Sequence, residues 1–357
     1  MMLPRARHEY LLRQLALRGS VRASDVAAAL GVTQVTVRRD IAVLADDGLL
    51  ARVHGGAIAL DDAARKPAAA RTLVGVVVPS ATEHFAEIMR GMQTVAEAAR
   101  IRLVLSVSDY RPDVERARLE QLLDLEVAGL IIAPTTHRDN PEALLGWLES
   151  VPVPTVALER LLPVTAKATG PDSVRTDHVR GVFVALSHLA DLGHTRIALG
   201  CYDRTPNSRW VREGYRDAVG KLVLDEAPQF PLPKGNDDPD ALADALDDML
   251  AACRRERATA VLVHSDYHAA RLVERAHRLG IEIPDELAVV AYDDELAAHA
   301  AVPLTAITFP KREVGRQAVR LVTERIAPSD DGPPPARHIQ LVPRLSVRES
   351  CGAATVN

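Results

Sequence analysis

Short apolar runs alternate with amphipathic stretches of helical length through most of this 357-residue chain. The runs LVGVVV at 73–78 and AVLVH at 260–264 are continuous rather than alternating, which is typical of strands buried on both faces. Between such runs, apolar residues recur every three or four positions and predict helices. Strands that alternate with helices in this way predict a parallel α/β architecture.

The alternation occurs twice along the chain. One set of strands and helices is predicted for about 73–160, and after the irregular stretch 159–172 a second set begins and continues to about 292. A further helix is predicted at 312–326, followed by a last extended stretch. Two similar α/β halves imply a cleft between them, where parallel sheets bind their ligands.

The first 60 residues follow a different pattern. Short amphipathic helices are predicted from Arg5 to Leu17 and from Ser24 to Leu30, with Ser24 as an N-cap and Gly31 at a sharp turn. A third helix, capped by Thr33, follows. Its apolar residues Val37, Ile41 and Leu44 are spaced by four and three, which leaves Gln34, Thr36, Arg38 and Arg39 on the other faces.

Three helices with a tight glycine turn predict a helix-turn-helix, and the run ARVHGGA at 51–57 predicts a hairpin next to it. In this interpretation Gly55 and Gly56 allow the hairpin to turn, and Arg52 and His54 lie along a nucleic-acid backbone. The alternative is that two adjacent arginines form a solvated helix face. The turn, the flanking helices and the hairpin occur together in the expected order, and they favour DNA binding.

Residues 5–60 resemble the DeoR-type winged helix-turn-helix domain. The most specific segments are TVRRD, residues 36–40, and GLLARVHGGA, which begins at Gly48. We therefore predict that Thr33 starts the reading helix, that Gln34, Thr36 and Arg38 contact base edges, and that Arg39, Arg52 and His54 contact phosphates.

Composition and charge agree with this division. The 47% content of hydrophobic residues indicates a soluble globular protein, and the net charge is -5. Residues 1–60 carry +3, so the rest of the chain carries -8. The stretch 61–72, DDAARKPAAART, is small and charged and is predicted to be a linker.

Several classes of protein are disfavoured. No apolar run approaches the length of a membrane span, and charges interrupt the N-terminal MMLPRARHEYLLRQ, so we expect a cytoplasmic location without membrane contact. The three cysteines are far apart and the histidines form no metal-binding motif, so no metal or cofactor is expected. The chain lacks a nucleophile elbow and a glycine-rich phosphate loop, which argues against an enzyme.

Polar and aromatic residues follow the predicted strands, where a cleft would lie. Carboxylates that accept hydroxyl hydrogen bonds, arginines that donate them and aromatic faces suit a sugar or polyol. The candidates for effector binding are His84, Phe85, Asp109, Tyr110, Arg160, Arg209, Trp210, Arg212, Ser265, Asp266 and Asp293.

Alternatives remain open for some of these candidates. Asp266 could be a helix cap or a turn residue, and His84 with Phe85 could close the first helix onto the core. Trp210 could be either a stacking platform or an exposed hydrophobic residue. Arg160 could form a surface ion pair with Glu159.

Residues 73–350 resemble the periplasmic-binding-protein-like sensor domain of the LacI/GalR family of regulators. The matching segments, in the family's order, are VGVVVPSATEHFAEIMRGM, VAGLIIAP, SVRTDHVRG, LADLGHTRIAL, REGYRDA, LGIEIPDELAVVAYDD and VPLTAITFPKREVGRQAV. The resemblance implies a type I periplasmic-binding-protein-like fold and a homodimer. It also implies effector contacts by His84, Phe85, Arg209 and Asp293.

The resemblance further implies subdomains that are discontinuous in sequence. Subdomain 1 is expected at about 73–160 and 295–326, and subdomain 2 at about 173–292 and 336–350. The chain departs from the family pattern in three places. Val211 stands where an arginine commonly contacts sugar, Ser265 stands where an asparagine is common, and the linker 61–72 replaces a hinge helix.

Together these patterns predict a DNA-binding transcriptional repressor. A dimer would place two winged helices on an operator, and a small-molecule effector, a sugar or sugar derivative, would change its DNA affinity. The alternative hypotheses are a cytoplasmic sugar-binding protein of a transport system and a sugar-acting enzyme on the same α/β fold.

Overall fold

The chain divides into two compact units, Met1–Arg71 and Thr72–Asn357. In the computed structural model, the described residues are 7–8, 10–12, 14–15, 19–47, 49–53, 55–58, 71–81, 84–135, 141–160, 170–202, 205–234, 238–327 and 334–353. Most of the linker expected at 61–72 lies outside the described residues. Its last residue, Thr72, already belongs to the first strand of the second unit.

The first unit is a helix-turn-helix with a small antiparallel sheet. The described residues between 7 and 15 are helical, and the elements that follow are β1 (Ser20–Arg22), α1 (Ala23–Leu30), α2 (Gln34–Asp46), β2 (Ala51–Val53) and β3 (Gly56–Ile58). The core contains Val37, Ile41 and Leu44 at the spacing expected for α2, packed with residues such as Leu11. Gly31 makes the turn between the two helices with a φ of 62°, a conformation that favours glycine.

Two local features of this unit differ from the sequence-based expectation. Helix α1 begins at Ala23, and Ser24 does not cap it. The chain passes directly from β1 into the helix, where the Ala23 amide donates to the carbonyl of Gly55. Strand β1 also pairs with β3 and places the Val21 carbonyl 1.9 Å from where a Cβ of Gly56 would lie. Gly56 is thus required by close backbone approach.

The described residues of the second unit form two six-stranded sheets. The first sheet has the order β14-β8-β7-β6-β4-β5 and is parallel throughout. Its strands and associated helices are β4 (Thr72–Val78), α3 (His84–Ala98), β5 (Ile101–Val107), α4 (Pro112–Asp124), β6 (Gly129–Ile132), α5 (Pro141–Ser150), β7 (Thr155–Leu158), β8 (Asp172–Thr176), α10 (Lys311–Ile326) and β14 (His338–Leu341).

The second sheet has the order β10-β9-β11-β12-β13-β15, and only the β13–β15 pair is antiparallel. Its elements are α6 (His178–Asp191), β9 (Ile197–Tyr202), α7 (Ser208–Lys221), β10 (Gln229–Leu232), α8 (Pro239–Glu256), β11 (Ala260–His264), α9 (Asp266–Arg278), β12 (Ala288–Tyr292), β13 (Thr305–Thr308) and β15 (Arg344–Ser346). Short 3-10 helices lie at Ala297–His299 and Glu349–Cys351.

The chain crosses between the two sheets three times: after β8, between β13 and α10, and between β14 and β15. This topology corrects the expected subdomain boundaries. Strand β8 belongs to the first sheet rather than to 173–292, β13 belongs to the second sheet rather than to 295–326, and β14 returns to the first sheet. The first sheet therefore takes two strands, β8 and β14, from the segments assigned to subdomain 2, and the second sheet takes one strand, β13, from a segment assigned to subdomain 1.

Buried apolar residues cover both faces of each sheet, which explains the continuous apolar runs in the sequence. Helix α10 packs closely against α3 on the first sheet. The helix therefore returns to the first half of the unit, as expected. The expected α/β architecture, with a helix-turn-helix before two parallel sheets, is confirmed.

Candidate DNA-binding surface and effector site

Helix α2 presents its polar side chains to solvent. Thr33 caps the helix, because its Oγ1 accepts a hydrogen bond from the Thr36 amide at 3.2 Å. Gln34, Arg38 and Arg39 are exposed, whereas Thr36 is half-buried and its hydroxyl lies 2.9 Å from that of Thr33. The helix therefore offers one amide and two guanidinium groups for contact with a ligand.

A groove of about 510 Å³ separates this helix from the hairpin of β2 and β3. Arg38 and Arg52 line it from the two sides, and Arg52 is exposed. His54, which was also expected to contact a phosphate, lies outside the described residues. Two cations beside one groove are suited to an anionic backbone.

Val35 was not among the residues predicted to contact DNA. Its side chain is 75% exposed on α2, between the exposed Gln34 and the capped turn. An exposed valine beside an exposed amide and two exposed guanidinium groups is suited to contact the methyl group of thymine. The available signal was its position, since Val35 falls outside the apolar spacing of Val37, Ile41 and Leu44.

A buried ion pair anchors α2 to the N-terminal helical residues. Nε and Nη2 of Arg7 donate to the two carboxylate oxygens of Asp40 at 2.7 and 3.0 Å, and Nε2 of His8 lies 3.2 Å from Oδ1. Burial disfavours the ionised carboxyl, but the hydrogen bonds from Arg7 and His8 outweigh it and lower the pKa of Asp40. The bidentate pair fixes the orientation of α2 relative to the N-terminal helical residues.

In the second unit, Glu159 lies buried at the end of β7. Its carboxylate accepts hydrogen bonds from the hydroxyl and the amide of Thr176, at 2.8 and 3.2 Å. Burial raises the pKa of Glu159 despite these donors. The surface ion pair expected between Glu159 and Arg160 is wrong, because Nη1 of Arg160 donates to the Glu159 backbone carbonyl instead.

Two histidines face this carboxylate. Nε2 of His178 lies 3.7 Å from one oxygen of Glu159, and Nε2 of His84 lies 3.9 Å from the other. Burial is the main cause that lowers the pKa of both imidazoles well below the usual value. Nearby positive charges lower both pKa values further, and His84 also lowers that of His178. Both are therefore neutral at pH 7. On its other side, Nδ1 of His178 lies 2.6 Å from the hydroxyl of Tyr292.

Asp293, the residue with the clearest expected role, follows β12 and pairs with Lys311. Nζ of Lys311 donates to Oδ1 of Asp293 at 2.7 Å and to Oε1 of Glu295 at 2.6 Å. Burial disfavours the ammonium, but these two acids outweigh it and raise the pKa of Lys311. The residues around this pair line a cavity of about 770 Å³, bounded also by α3, α10 and the third crossing.

Two expected effector residues have partners within the fold. Asp266 is 6% exposed, and its Oδ2 accepts hydrogen bonds from the amides of Glu295 and Leu296 at 2.8 and 2.6 Å. It holds the turn after β12, which favours the turn-residue interpretation over ligand contact. The hydroxyl of Ser265 lies 3.2 Å from Nδ1 of His268, within the capping box of α9.

Four further candidates for effector binding lie in different environments. Phe85 is 3% exposed and packs in the core of the first sheet, so it closes α3 rather than facing a cleft. Asp109 and Tyr110 are exposed, with φ values of 51° and 58°. Arg212 reaches Gln229 on the edge strand β10, with Nη1 donating at 3.3 Å.

Arg160, Arg209 and Trp210 do come together. The Cζ of Arg209 lies 4.4 Å from the centre of the Trp210 ring, and the charge of Arg209 acts on Arg160. Arg175 was not among the predicted effector contacts, yet its Cζ lies 5.1 Å from the centre of the same ring. A position within a short, polar strand gave no signal that could have identified Arg175.

Within the ranges that the structure describes, no group of three or more potential ligands could hold a metal ion. In the same ranges, no helix combines the length and the apolar character that a membrane crossing requires.

Comparison with known proteins agrees with both units. Residues 7–63 match the DeoR-like helix-turn-helix domain, and residues 186–351 match the periplasmic binding protein-like domain. The PurR transcriptional repressor of Aliivibrio fischeri is 30% identical over 288 residues, covering 78% of this chain and 81% of that protein. The chain belongs to the LacI family of transcriptional regulators.

Further relatives support this assignment. The arabinose metabolism transcriptional repressor of Geobacillus stearothermophilus is 26% identical over 312 residues, covering 85% of this LacI-family regulator and 83% of the relative. The solved structure of the transcription regulator GntR from Chromobacterium violaceum has a TM-score of 0.62 and 26% identity, covering 79% of this chain and 100% of that one. These relatives regulate transcription and are not enzymes, and neither alternative hypothesis from the sequence is favoured.

Proposed function

We propose that this LacI-family regulator is a repressor that binds operator DNA as a homodimer and responds to a sugar or sugar derivative. The observation that carries the proposal is the capped helix α2, with Gln34, Arg38 and Arg39 exposed, in a chain that also contains two sheets joined by three crossings. The first feature suits base reading, and the second suits a cleft that opens and closes.

At the DNA, α2 enters the major groove, where Gln34, Thr36 and Arg38 read base edges. An arginine that donates two hydrogen bonds to guanine discriminates against other bases by about 1–3 kcal/mol. Arg39, Arg52 and His54 contact phosphates and fix the register of the helix. A homodimer presents two such helices, so the operator should consist of two related half-sites in inverted orientation.

The effector binds between the two sheets, at the carboxyl ends of their parallel strands. Asp293 and His84, with Arg160, Arg209 and Trp210, lie after strands or at helix starts on this side. One relative is named for arabinose metabolism, which supports a sugar-derived effector. A ligand can shift DNA affinity only if it binds the open and closed forms with different affinity. The three crossings are the segments whose conformation would change between those forms.

DNA binding is tested by selecting duplexes from a random library with the full-length protein and titrating the selected duplex by fluorescence anisotropy. Arg38→Ala should weaken binding at least about tenfold. Arg278→Ala removes an exposed arginine from the end of α9 and serves as the control. Unchanged affinity of Arg38→Ala would contradict the assignment of α2 as the reading helix.

Effector binding is tested by thermal shift of the full-length protein against sugars, sugar phosphates and nucleosides. A compound that binds only the folded state raises the melting temperature. The shift should be lost in Asp293→Ala and retained in Asp285→Ala, whose carboxylate is exposed on the loop before β12. A stabilising compound that acts equally on both variants would place its binding site elsewhere.

A further inference from the structure

Three arginine side chains from three different elements lie close to one another, with Arg160 and Arg175 half-buried and Arg209 exposed. Arg160 follows β7, Arg175 lies in β8, and Arg209 lies in the first turn of α7. Burial lowers the pKa of Arg160 and of Arg175, and the charge of Arg209 lowers both further. The charge of Arg209 therefore acts on both of the other guanidinium groups, while Glu159 acts on both in the opposite direction.

The indole ring of Trp210 connects two of these arginines. The Cζ of Arg175 lies 5.1 Å from the ring centre, and the Cζ of Arg209 lies 4.4 Å from it. Arg175 belongs to the first sheet, whereas Arg209 and Trp210 belong to a helix that packs on the second sheet. The cluster thus spans the two subdomains, and cation–π contacts keep both guanidinium groups at the same ring.

Carboxylates act on two of these charges from a distance: Glu159 raises the pKa of Arg160 and of Arg175, and Asp177 raises that of Arg175. Across the described ranges, no carboxylate oxygen forms a salt bridge with Arg160, Arg175 or Arg209 at the 4.0 Å limit. Nη1 of Arg160 donates to the Glu159 carbonyl at 3.0 Å, while its buried Nε has no hydrogen-bond acceptor. The adjacent Glu159 carboxylate is occupied by Thr176. A buried guanidinium nitrogen without an acceptor is unfavourable, and a bound anion that accepts from Nε would remove that cost.

We propose that the effector carries a phosphate monoester group, bound by Arg160, Arg175 and Arg209. This inference rests on the proposed function, since it specifies the chemical class of the ligand in the same cleft. A guanidinium offers a planar pair of donors that matches phosphate oxygens, and three of them can share the three terminal oxygens. A phosphate monoester carries a charge of about -1.5 to -2 at pH 7, so it balances the cluster better than a single carboxylate.

The same arrangement explains how such a ligand would act on the protein. A phosphate held by Arg175 and by Arg209 is bound from both subdomains at once. It also neutralises charges that repel one another across the cleft, and this repulsion is greatest when the subdomains are close. The ligand therefore binds the closed form more tightly than the open one, which is the difference in affinity that a shift between two states requires.

The test is isothermal calorimetry on the full-length protein with matched pairs of pentoses and hexoses, their phosphate monoesters and their uronic acids, with inorganic phosphate alone as a further probe. At least one phosphate monoester should bind more tightly than the corresponding neutral sugar, by about tenfold or more. Its affinity should fall with added salt. Arg175→Gln and Arg209→Gln should each weaken it about tenfold or more, while Arg216→Gln, an exposed arginine on α7, should leave it unchanged.

Several outcomes would overturn the inference: equal affinity for a neutral sugar and its phosphate ester, tighter binding of a uronic acid, or binding of no phosphate ester at all. Wild-type operator affinity of Arg175→Gln and Arg209→Gln without ligand establishes that the variants are folded. A neutral sugar that binds and changes operator affinity would support the proposed function and refute the phosphate group. A phosphate ester that binds through the arginines without changing operator affinity would support the anion site and contradict the proposed function.

Discussion

The hydroxyl group of Tyr292 lies 2.6 Å from Nδ1 of His178, and both side chains are buried. Tyr292 ends β12 in the second sheet, whereas His178 follows the first crossing between the sheets. The opposite nitrogen of His178 faces Glu159, which accepts hydrogen bonds from Thr176 in the first sheet. Polar groups of both sheets therefore meet around His178, although its Nε2 forms no hydrogen bond with Glu159, and a relative movement of the sheets should alter the contact between Tyr292 and His178.

Tyr292→Phe tests this connection. Removal of the hydroxyl leaves Nδ1 of His178 buried without its partner, so the free energy of unfolding should fall by about 1–3 kcal/mol in urea denaturation. The matched control is Tyr215→Phe, because the Tyr215 hydroxyl donates to the Ile197 carbonyl within one subdomain. Both variants should lose stability, but only Tyr292→Phe should change the effector response of operator binding. An unaltered response in Tyr292→Phe would exclude a role for this contact in coupling.

The two buried histidines predict a dependence of stability on pH. Their pKa values are lowered in the folded state, so between that lowered value and about 6.5 only the unfolded state binds their protons. The free energy of unfolding should therefore be highest above about pH 6.5. It should fall on acidification by up to about 1.4 kcal/mol per pH unit for each histidine.

Glu159 opposes this trend, because a raised pKa makes the folded state take up its proton before the unfolded state does. The decisive comparison is therefore between variants. Urea denaturation between pH 7.5 and about 5 should show a shallower loss of stability for His178→Gln than for the wild type. His277→Gln, at an exposed position near the end of α9, is the control and should retain the wild-type slope. Parallel slopes for wild type and His178→Gln would show that His178 does not titrate as proposed.

Much of the fold could be predicted because buried parallel strands leave continuous apolar runs. The strands that were missed, β8, β10 and β13, read DSVRT, QFPL and TAIT. The first is polar and contains Arg175, the second contains a proline at the sheet edge, and the third is short with threonine at both ends. These segments form strands because of neighbours that are distant in sequence. The same neighbours determine the sheet to which each strand belongs.

The candidate sites were predicted less completely, for a related reason. Position after a strand identified Asp293 and Arg160, but it could not tell which side chains already have partners within the fold. Asp266 accepts backbone hydrogen bonds and Phe85 packs in the core. Such partners come from residues far along the chain, as Lys311 does for Asp293.

Asp40 should contribute to both stability and DNA binding. Asp40→Asn removes the charge that holds Arg7, so α2 loses its anchor, and we expect a lower melting temperature for the first unit with weaker operator binding. Because the pKa of Asp40 is lowered, its contribution is present above the unfolded value of about 3.9 and is lost as the pH falls through the lower folded value. Asp25→Asn, an exposed acid in the first turn of α1, is the control. Equal melting and DNA affinity for both variants would contradict this role.

Val35 should contribute to sequence preference without contributing to electrostatic attraction. Its side chain is 75% exposed on the reading helix, where contact with a thymine methyl group buries it. Val35→Ser should weaken binding to the selected duplex by about 1 kcal/mol, roughly fivefold, with an unchanged dependence on salt. Val43→Ser, at a 44% exposed position near the other end of α2, should bind like the wild type. If uracil in place of thymine in the duplex reproduces the loss for the wild type but adds nothing to Val35→Ser, the methyl contact is established. Independent, additive losses would show that Val35 and the methyl group do not touch.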